Sequence, residues 1–273
     1  MGKIRRSVIA GSWYPGDPSV LRSDITRYFQ NVPDRGLKGE IVGLIVPHAG
    51  YIYSGQVAAH AYKMIQGRKY DAVVLIGPSH RVAFSGVSIY DNGAYETPLG
   101  LIPVDETIAG ELKNITDIII DFPAAHTQEH ALEIQLPFLQ IALGNFSLIP
   151  LVMGDQDAAT CRELADVVSQ VSKNRHVLIV ASSDLSHFHD YKKASQLDGI
   201  VLKHIQDNNV EGLLDSLAHN ETEACGGGPM AVAMLAANKL GAHHSLLLEY
   251  ANSGDVTGDK RSVVGYTSAI YYR

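Results

Sequence analysis

Apolar, β-branched runs alternate along the chain with segments whose apolar residues recur every three to four positions. The runs predict strands and the periodic segments predict helices. The predicted strands are Ile41–Val46, Ala72–Ile76, Leu148–Val152, Val177–Ala181, Ser245–Tyr250 and Val263–Tyr271. The predicted helices include Ser54–Gln66, His130–Leu143, Ala158–Ser172, Ala194–Gln206 and Pro229–Leu240. Nearly continuous apolar strands separated by helices predict a sheet that is covered on both faces.

The chain is predicted to form a single α/β domain over residues 1–273, because no linker, repeat or low-complexity run divides it. The last two predicted strands follow each other too closely for a helical crossover, so we expect a mixed β-sheet flanked by helices. Gly86–Glu96 and Leu101–Val104 indicate a loop-rich β insertion.

Composition excludes several classes of protein. A net charge of -7 argues against binding to the phosphate backbone of a nucleic acid. No apolar stretch approaches the roughly 20 residues of a membrane helix, and no signal segment is recognised. Two cysteines, Cys161 and Cys225, cannot form the disulfide framework of a small secreted domain. We therefore expect a cytoplasmic protein without nucleic-acid or membrane partners, and we leave its oligomeric state open.

Three of the twelve histidines lie within six residues after the end of a predicted strand. His48 follows the first strand in Pro47–Tyr51, His80 follows the second, and His187 follows the fourth. In open α/β sheets, ligands bind beyond the carboxyl ends of the strands. A single histidine in such a place is most often a turn residue, but three together predict one shared site.

A glycine-rich segment, Cys225–Pro229, precedes a predicted helix. The positive end of the helix dipole is expected to lower the pKa of the Cys225 thiol, since a thiolate is favoured there. Imidazole and thiolate together are typical ligands of zinc, iron or copper, and two histidines with one cysteine leave a coordination position open. The alternative is a structural turn around a buried, inert cysteine.

Two further groups are candidates for roles around the site. Asp184 lies three residues before His187 and is predicted to share a hydrogen bond with it, so that His187 moves protons near neutral pH. Thr127 is predicted to cap a helix on which His130 and Glu133 share one face. These two residues either line the pocket or support it, or they simply belong to an ordinary helix start. Structural roles are expected for His60, His176, His189, His204, His219, His243 and His244.

Taken together, six motifs resemble those of the Memo family over essentially the whole chain. They are Ala10–Pro15, Val46–Gly55, Gly77–His80, Glu129–Glu133, Ser182–His187 and Cys225–Pro229. Members of that family look like the LigB-like class III extradiol dioxygenases, which are non-haem iron enzymes, in fold and in the position of the pocket.

The resemblance implies a site for one divalent transition metal at His48, His80 and Cys225, with iron(II) favoured over copper and zinc. His187 matches the acid/base histidine of the dioxygenases, with Asp184 beside it. The ring-cleaving enzymes have a carboxylate where this chain has Cys225, so the resemblance does not extend to ring cleavage. It implies redox chemistry on O₂ or a small organic substrate.

Two other functions remain open from the sequence. In the first, the pocket binds a peptide or a small anionic ligand without turnover, and Tyr51, Arg81 and the glycine-rich segment around Gly226 form the recognition surface. In the second, the protein is a metal-free hydrolase with Cys225 as nucleophile and His187 as base.

Overall fold

The computed structural model describes residues 3–273. The strands are β1 (Ile4–Arg5), β2 (Ile41–Val46), β3 (Ala72–Pro78), β4 (Val87–Ile89), β5 (Ala94–Thr97), β6 (Gly100–Pro103), β7 (Ile119–Ile120), β8 (Ser147–Met153), β9 (Val177–Ser182), β10 (His187–His189), β11 (His244–Asn252) and β12 (Val263–Tyr272). The helices are α1 (Pro18–Gln30), α2 (Tyr51–Met64), α3 (Glu106–Ile115), α4 (Ala124–Thr127), α5 (Leu136–Leu143), α6 (Ala158–Ser172), α7 (Tyr191–Gln206), α8 (Val210–Ala218), α9 (Gly227–Lys239) and α10 (Ser253–Thr257). A 3₁₀ turn covers Glu133–Gln135. Within the described residues, no helix is both long and apolar enough to cross a membrane.

The main sheet contains nine strands in the order β10-β12-β2-β9-β3-β8-β4-β7, with β11 paired to β12. Its centre, β2-β9-β3-β8, is parallel. Strands β12 and β4 run antiparallel to their neighbours β2 and β8. The predicted α/β fold with a mixed sheet is therefore confirmed. The extent of the domain over residues 1–273 stays a prediction, and residues 1 and 2 lie outside the described part.

Helices cover both faces of this sheet. One apolar cluster joins the sheet to α6, α7, α8 and α9, and a second joins the opposite face to α1, α2 and α5. Every residue of β2, β3 and β9 is buried as a result. This explains why these strands have apolar residues at consecutive positions and do not alternate between apolar and polar residues.

The predicted helix His130–Leu143 is wrong in its first half. Residues 128–132 are irregular, and the regular helix α5 begins only at Leu136, with Pro137 in its first turn. The Glu129 side chain accepts the backbone N–H groups of His130 and Ala131, which holds the chain in a turn at this point. Thr127 ends the short helix α4 and does not cap a following helix.

The predicted β insertion divides between two sheets. Strand β4 joins the main sheet beside β8, whereas β5 and β6 form a hairpin that pairs with β1 in a separate three-stranded sheet. Two predicted helices begin three residues earlier than expected. Gly50 is the N-cap of α2, and the Asp190 side chain accepts two N–H groups in the first turn of α7.

Candidate metal centre

Three of the candidate residues meet where the central parallel strands end. His48 lies just beyond β2 and His80 just beyond β3, and their ring centroids are 5.0 Å apart, edge to face. Cys225 lies immediately before α9, with its Sγ 3.0 Å from His48 Nε2. One ligand atom from each of the three residues lies within 4.8 Å of the others. This cluster contains the three residues for which the sequence predicted a metal.

His48 is held so that Nε2 faces the sulfur of Cys225. Its Nδ1 lies 3.1 Å from Ser182 Oγ, which also accepts a hydrogen bond of 2.8 Å from Gln135 Nε2. Its backbone N–H donates to Asp184 Oδ1 at 2.7 Å. Burial, reinforced by the neighbouring His80, lowers the pKa of His48 to about 3. The ring is therefore neutral at pH 7, which is the form that binds metals.

His80 is oriented by Glu129, a residue for which no role was predicted from the sequence. Glu129 Oε1 lies 2.9 Å from His80 Nδ1, and Oε2 accepts the His80 N–H at 2.7 Å. Burial by itself would raise the pKa of Glu129, but the hydrogen bonds from His80 and nearby backbone N–H groups outweigh it and lower that pKa to about 2. A carboxylate behind a metal-binding imidazole fixes the ring and leaves the other nitrogen, Nε2, free.

The pKa of the Cys225 thiol is shifted in the direction opposite to that expected at a helix start. Burial and the nearby Asp184 carboxylate raise its pKa, although the Asp184 N–H donates to Sγ at 3.3 Å. The thiolate therefore requires a cation beside it, as a bound metal would provide. Gly226 approaches the end of β9 closely, because a Cβ there would lie 2.4 Å from the Ser182 carbonyl oxygen. Its role is to let the start of α9 pack against the sheet.

The donor set fits a transition metal. Two imidazole nitrogens and one sulfur match the ligand preferences of iron, copper and zinc and leave room for a further ligand. A second cluster, His80, Glu129 and His130, also brings its ligand atoms within 4.8 Å. The Glu129 oxygens in that cluster already accept hydrogen bonds from His80, His130 and Ala131. The cluster with Cys225 is therefore the better candidate.

A cavity of about 540 Å³ opens beside this cluster. The predicted residues on its wall are His48, His80, His130, Asp184 and His187. Aromatic residues that the sequence did not assign to the pocket, Trp13, Tyr53 and Tyr266, also line it. The Trp13 ring lies 4.4 Å from that of His130, and burial lowers the pKa of His130 to about 3.

Asp184 faces the cavity, but its hydrogen bonding differs from the expected one. Its carboxylate accepts the backbone N–H of His48, and no hydrogen bond joins it to His187 among the described contacts. Burial raises the pKa of Asp184. Asp184 therefore connects the ends of β2 and β9 and also forms part of the cavity wall.

Two predicted pocket residues lie behind the wall. The Tyr51 hydroxyl donates to the Ile134 carbonyl at 2.9 Å, so this side chain points into the interior. Glu133 pairs with Arg5 and accepts hydrogen bonds from the Val8 N–H and the Tyr14 hydroxyl. It holds the N-terminal segment that carries Trp13 to the cavity.

Replacing Glu129 tests whether its carboxylate orients His80 for metal binding. We expect Glu129→Gln to weaken metal binding by about 10- to 100-fold, because His80 loses the carboxylate that orients it. Competition with a chelator of known affinity measures the change. Glu96→Gln, which alters a partly exposed carboxylate paired with Arg6, is the matched control and should leave the affinity unchanged. Equal affinities for both variants would contradict the role of Glu129.

The sequence profile of the Memo-like protein family matches residues 5–270. A MEMO1 family protein of Methanosarcina acetivorans is 41% identical over 98% of this chain and 99% of its own length. MEMO1 family protein MJ0403 of Methanocaldococcus jannaschii is 37% identical over 99% of both chains. Among solved structures, the uncharacterized protein JW3007 from Escherichia coli K12 matches with a TM-score of 0.57, covering 84% of this chain and 99% of its own. Its 14% identity indicates a shared fold alone. The profile match and the two relatives show that the chain belongs to the Memo family.

Proposed function

We propose that this protein binds one divalent transition metal ion at His48, His80 and Cys225 and uses it for redox chemistry on O₂ or a small organic substrate. Iron(II) is the favoured metal, and copper and zinc suit the same donors. The observation that carries the proposal is the convergence of two oriented imidazoles and one thiol, with both imidazoles on the wall of a 540 Å³ cavity. The bound metal would supply Lewis acidity and redox capacity.

The roles of the protein's own residues follow from their positions. Ser182 and Glu129 hold the two imidazoles with Nε2 available. His187 lies on the cavity wall and is the proposed general acid and base, since an imidazole exchanges protons near pH 7. Asp184, on the same wall, is the second proposed catalytic group. The aromatic side chains around the cavity exclude water from the bound substrate.

The metal-free hydrolase has less support from the geometry. The imidazole beside the Cys225 sulfur is that of His48, at 3.0 Å, and not that of the predicted base, His187. Burial raises the pKa of the thiol and lowers that of His48, so the pair favours its neutral form. A cysteine nucleophile requires the opposite shifts.

A function as a binding module for an anionic ligand also has less support than the metal-dependent function. Along the described chain, the side chains that line the cavity include no lysine or arginine. Arg81 is exposed and is not one of the lining residues. An anion in the cavity would therefore lack a cationic side chain from the protein.

The experiment is an oxygen-consumption screen of iron(II)-loaded protein with small organic molecules, followed by the same assay on His187→Ala. We expect the variant to retain its metal and to lose about 10²- to 10⁴-fold in turnover, which is the usual contribution of a general acid or base. His219→Ala changes an exposed histidine and is the control. Full activity in His187→Ala, or no turnover by any metal-loaded sample, would contradict the proposal.

A further inference from the structure

Phe188 has an unusual backbone and an unusual exposure. Its φ is 63°, in the left-handed region, where a bulky side chain is an outlier. The other described non-glycine residues with positive φ are Asn208 and Asn220, and asparagine tolerates this conformation. The Phe188 side chain is also 76% exposed, the highest value among the large apolar residues that the structure describes. Strain and exposure both cost stability, so the fold itself gives no reason for this residue.

The structure around Phe188 maintains the strained conformation. His187 and His189 pair with Val264 and Val263 of β12, and the register shifts between them. The Glu223 carboxylate lies 2.9 Å from His189 Nε2 and 3.5 Å from the backbone N of His187. Residues on both sides of Phe188 are thus held by one carboxylate and one strand. Residues that their surroundings hold in a strained backbone conformation cluster at functional sites.

Phe188 is adjacent to a residue of the cavity wall, since its ring centroid lies 5.7 Å from that of His187. The residue before it, His187, lines the cavity, as does its strand partner Val264. The rim also includes Ile52, which is 70% exposed, and Tyr53. The exposed phenyl ring of Phe188 therefore lies next to the cavity wall, outside the residues that line it.

We propose that Phe188 is a specificity-determining residue that contacts a planar, apolar group of the ligand where it emerges from the cavity. The ligand class is a small, uncharged organic molecule with an aromatic portion, because the wall is aromatic and offers no lysine or arginine from the described residues. A cavity of 540 Å³ has the size of a small-molecule site. This inference rests on the proposed function, since it describes the ligand of the same site.

The test uses N-phenyl-1-naphthylamine, an uncharged aromatic probe, and energy transfer from Trp13, the single tryptophan of the chain. We expect wild-type protein to bind the probe with transfer from Trp13. Phe188→Ala should weaken binding about three- to tenfold, the range of an aromatic contact, and Phe188→Tyr should restore it. Ile115→Ala, which removes another exposed apolar side chain away from the cavity, should change nothing. Absence of probe binding, or equal affinity in wild type and Phe188→Ala, would overturn the inference.

A second variant distinguishes a binding role from a structural one. Glycine adopts a positive φ freely, so Phe188→Gly should unfold at a temperature equal to or above that of the wild type while losing probe affinity. A lower unfolding temperature would mean that the ring supports the fold and would overturn the inference. Metal content is measured on the same samples. Wild-type protein that binds the probe in the expected way but takes up no metal would contradict the proposed function and leave the role of Phe188 standing.

Discussion

Cys225→Ala is expected to abolish metal binding, from about one ion per chain to below about a tenth, because the sulfur is one of three protein ligands of a site of this type. The thiol lies 3.0 Å from His48 Nε2 and is the one sulfur among the three grouped residues. Elemental mass spectrometry of protein purified and loaded without oxygen measures the content. Circular dichroism shows whether the variant retains its fold.

Cys161→Ala is the matched control within the same chain. Cys161 is fully buried on α6, with its Sγ 3.8 Å from the Gly228 carbonyl of α9. Its replacement removes a thiol outside the cluster, so the variant should keep its metal. Equal metal content in the two variants would show that Cys225 is not a ligand.

Breaking the Arg5–Glu133 pair is expected to have the largest effect on stability. The two side chains are 3% and 0% exposed, so Arg5→Met leaves an unpaired carboxylate in the interior. Breaking a buried pair by removing one partner costs about 3–5 kcal/mol. Urea denaturation followed by Trp13 fluorescence measures both this loss and the release of the N-terminal segment, which Glu133 holds through Val8 and Tyr14.

An exposed ion pair supplies the control for this effect. Arg162 and Glu211 are 51% and 65% exposed, so Arg162→Met should change the free energy of unfolding by less than about 1 kcal/mol. The double variant Arg5→Met/Glu133→Gln should recover part of the loss, because no charge is then left unpaired. A loss below about 1 kcal/mol in Arg5→Met would contradict the account of this pair.

Much of the candidate metal centre was predictable because the positions of its residues depend on where the strands end. The carboxyl ends of β2, β3 and β9 meet at one edge of a parallel sheet, which brings His48, His80 and Asp184 together. The apolar runs of these strands were visible in the sequence to within two residues. The glycine-rich turn likewise identified Cys225, although burial reverses the expected shift in the pKa of its thiol.

The residues of the site that were not predicted are positioned by contacts between distant parts of the chain. Glu129 contacts His80 across 49 positions, and no local pattern indicates that pairing. Trp13 reaches the cavity because its carbonyl accepts the Tyr51 N–H at 2.9 Å. Helix α1 was not among the predicted helices, although Asp17 and Pro18 form a recognisable helix start.

X-ray absorption spectroscopy of zinc-loaded protein tests the central claim most directly. The account predicts one sulfur at about 2.3 Å and two imidazole nitrogens at about 2.0–2.1 Å from the ion. The sulfur contribution should disappear in any metal that Cys225→Ala retains and should persist in Cys161→Ala. A coordination shell of oxygen and nitrogen alone in the wild-type protein would contradict a metal centre at His48, His80 and Cys225.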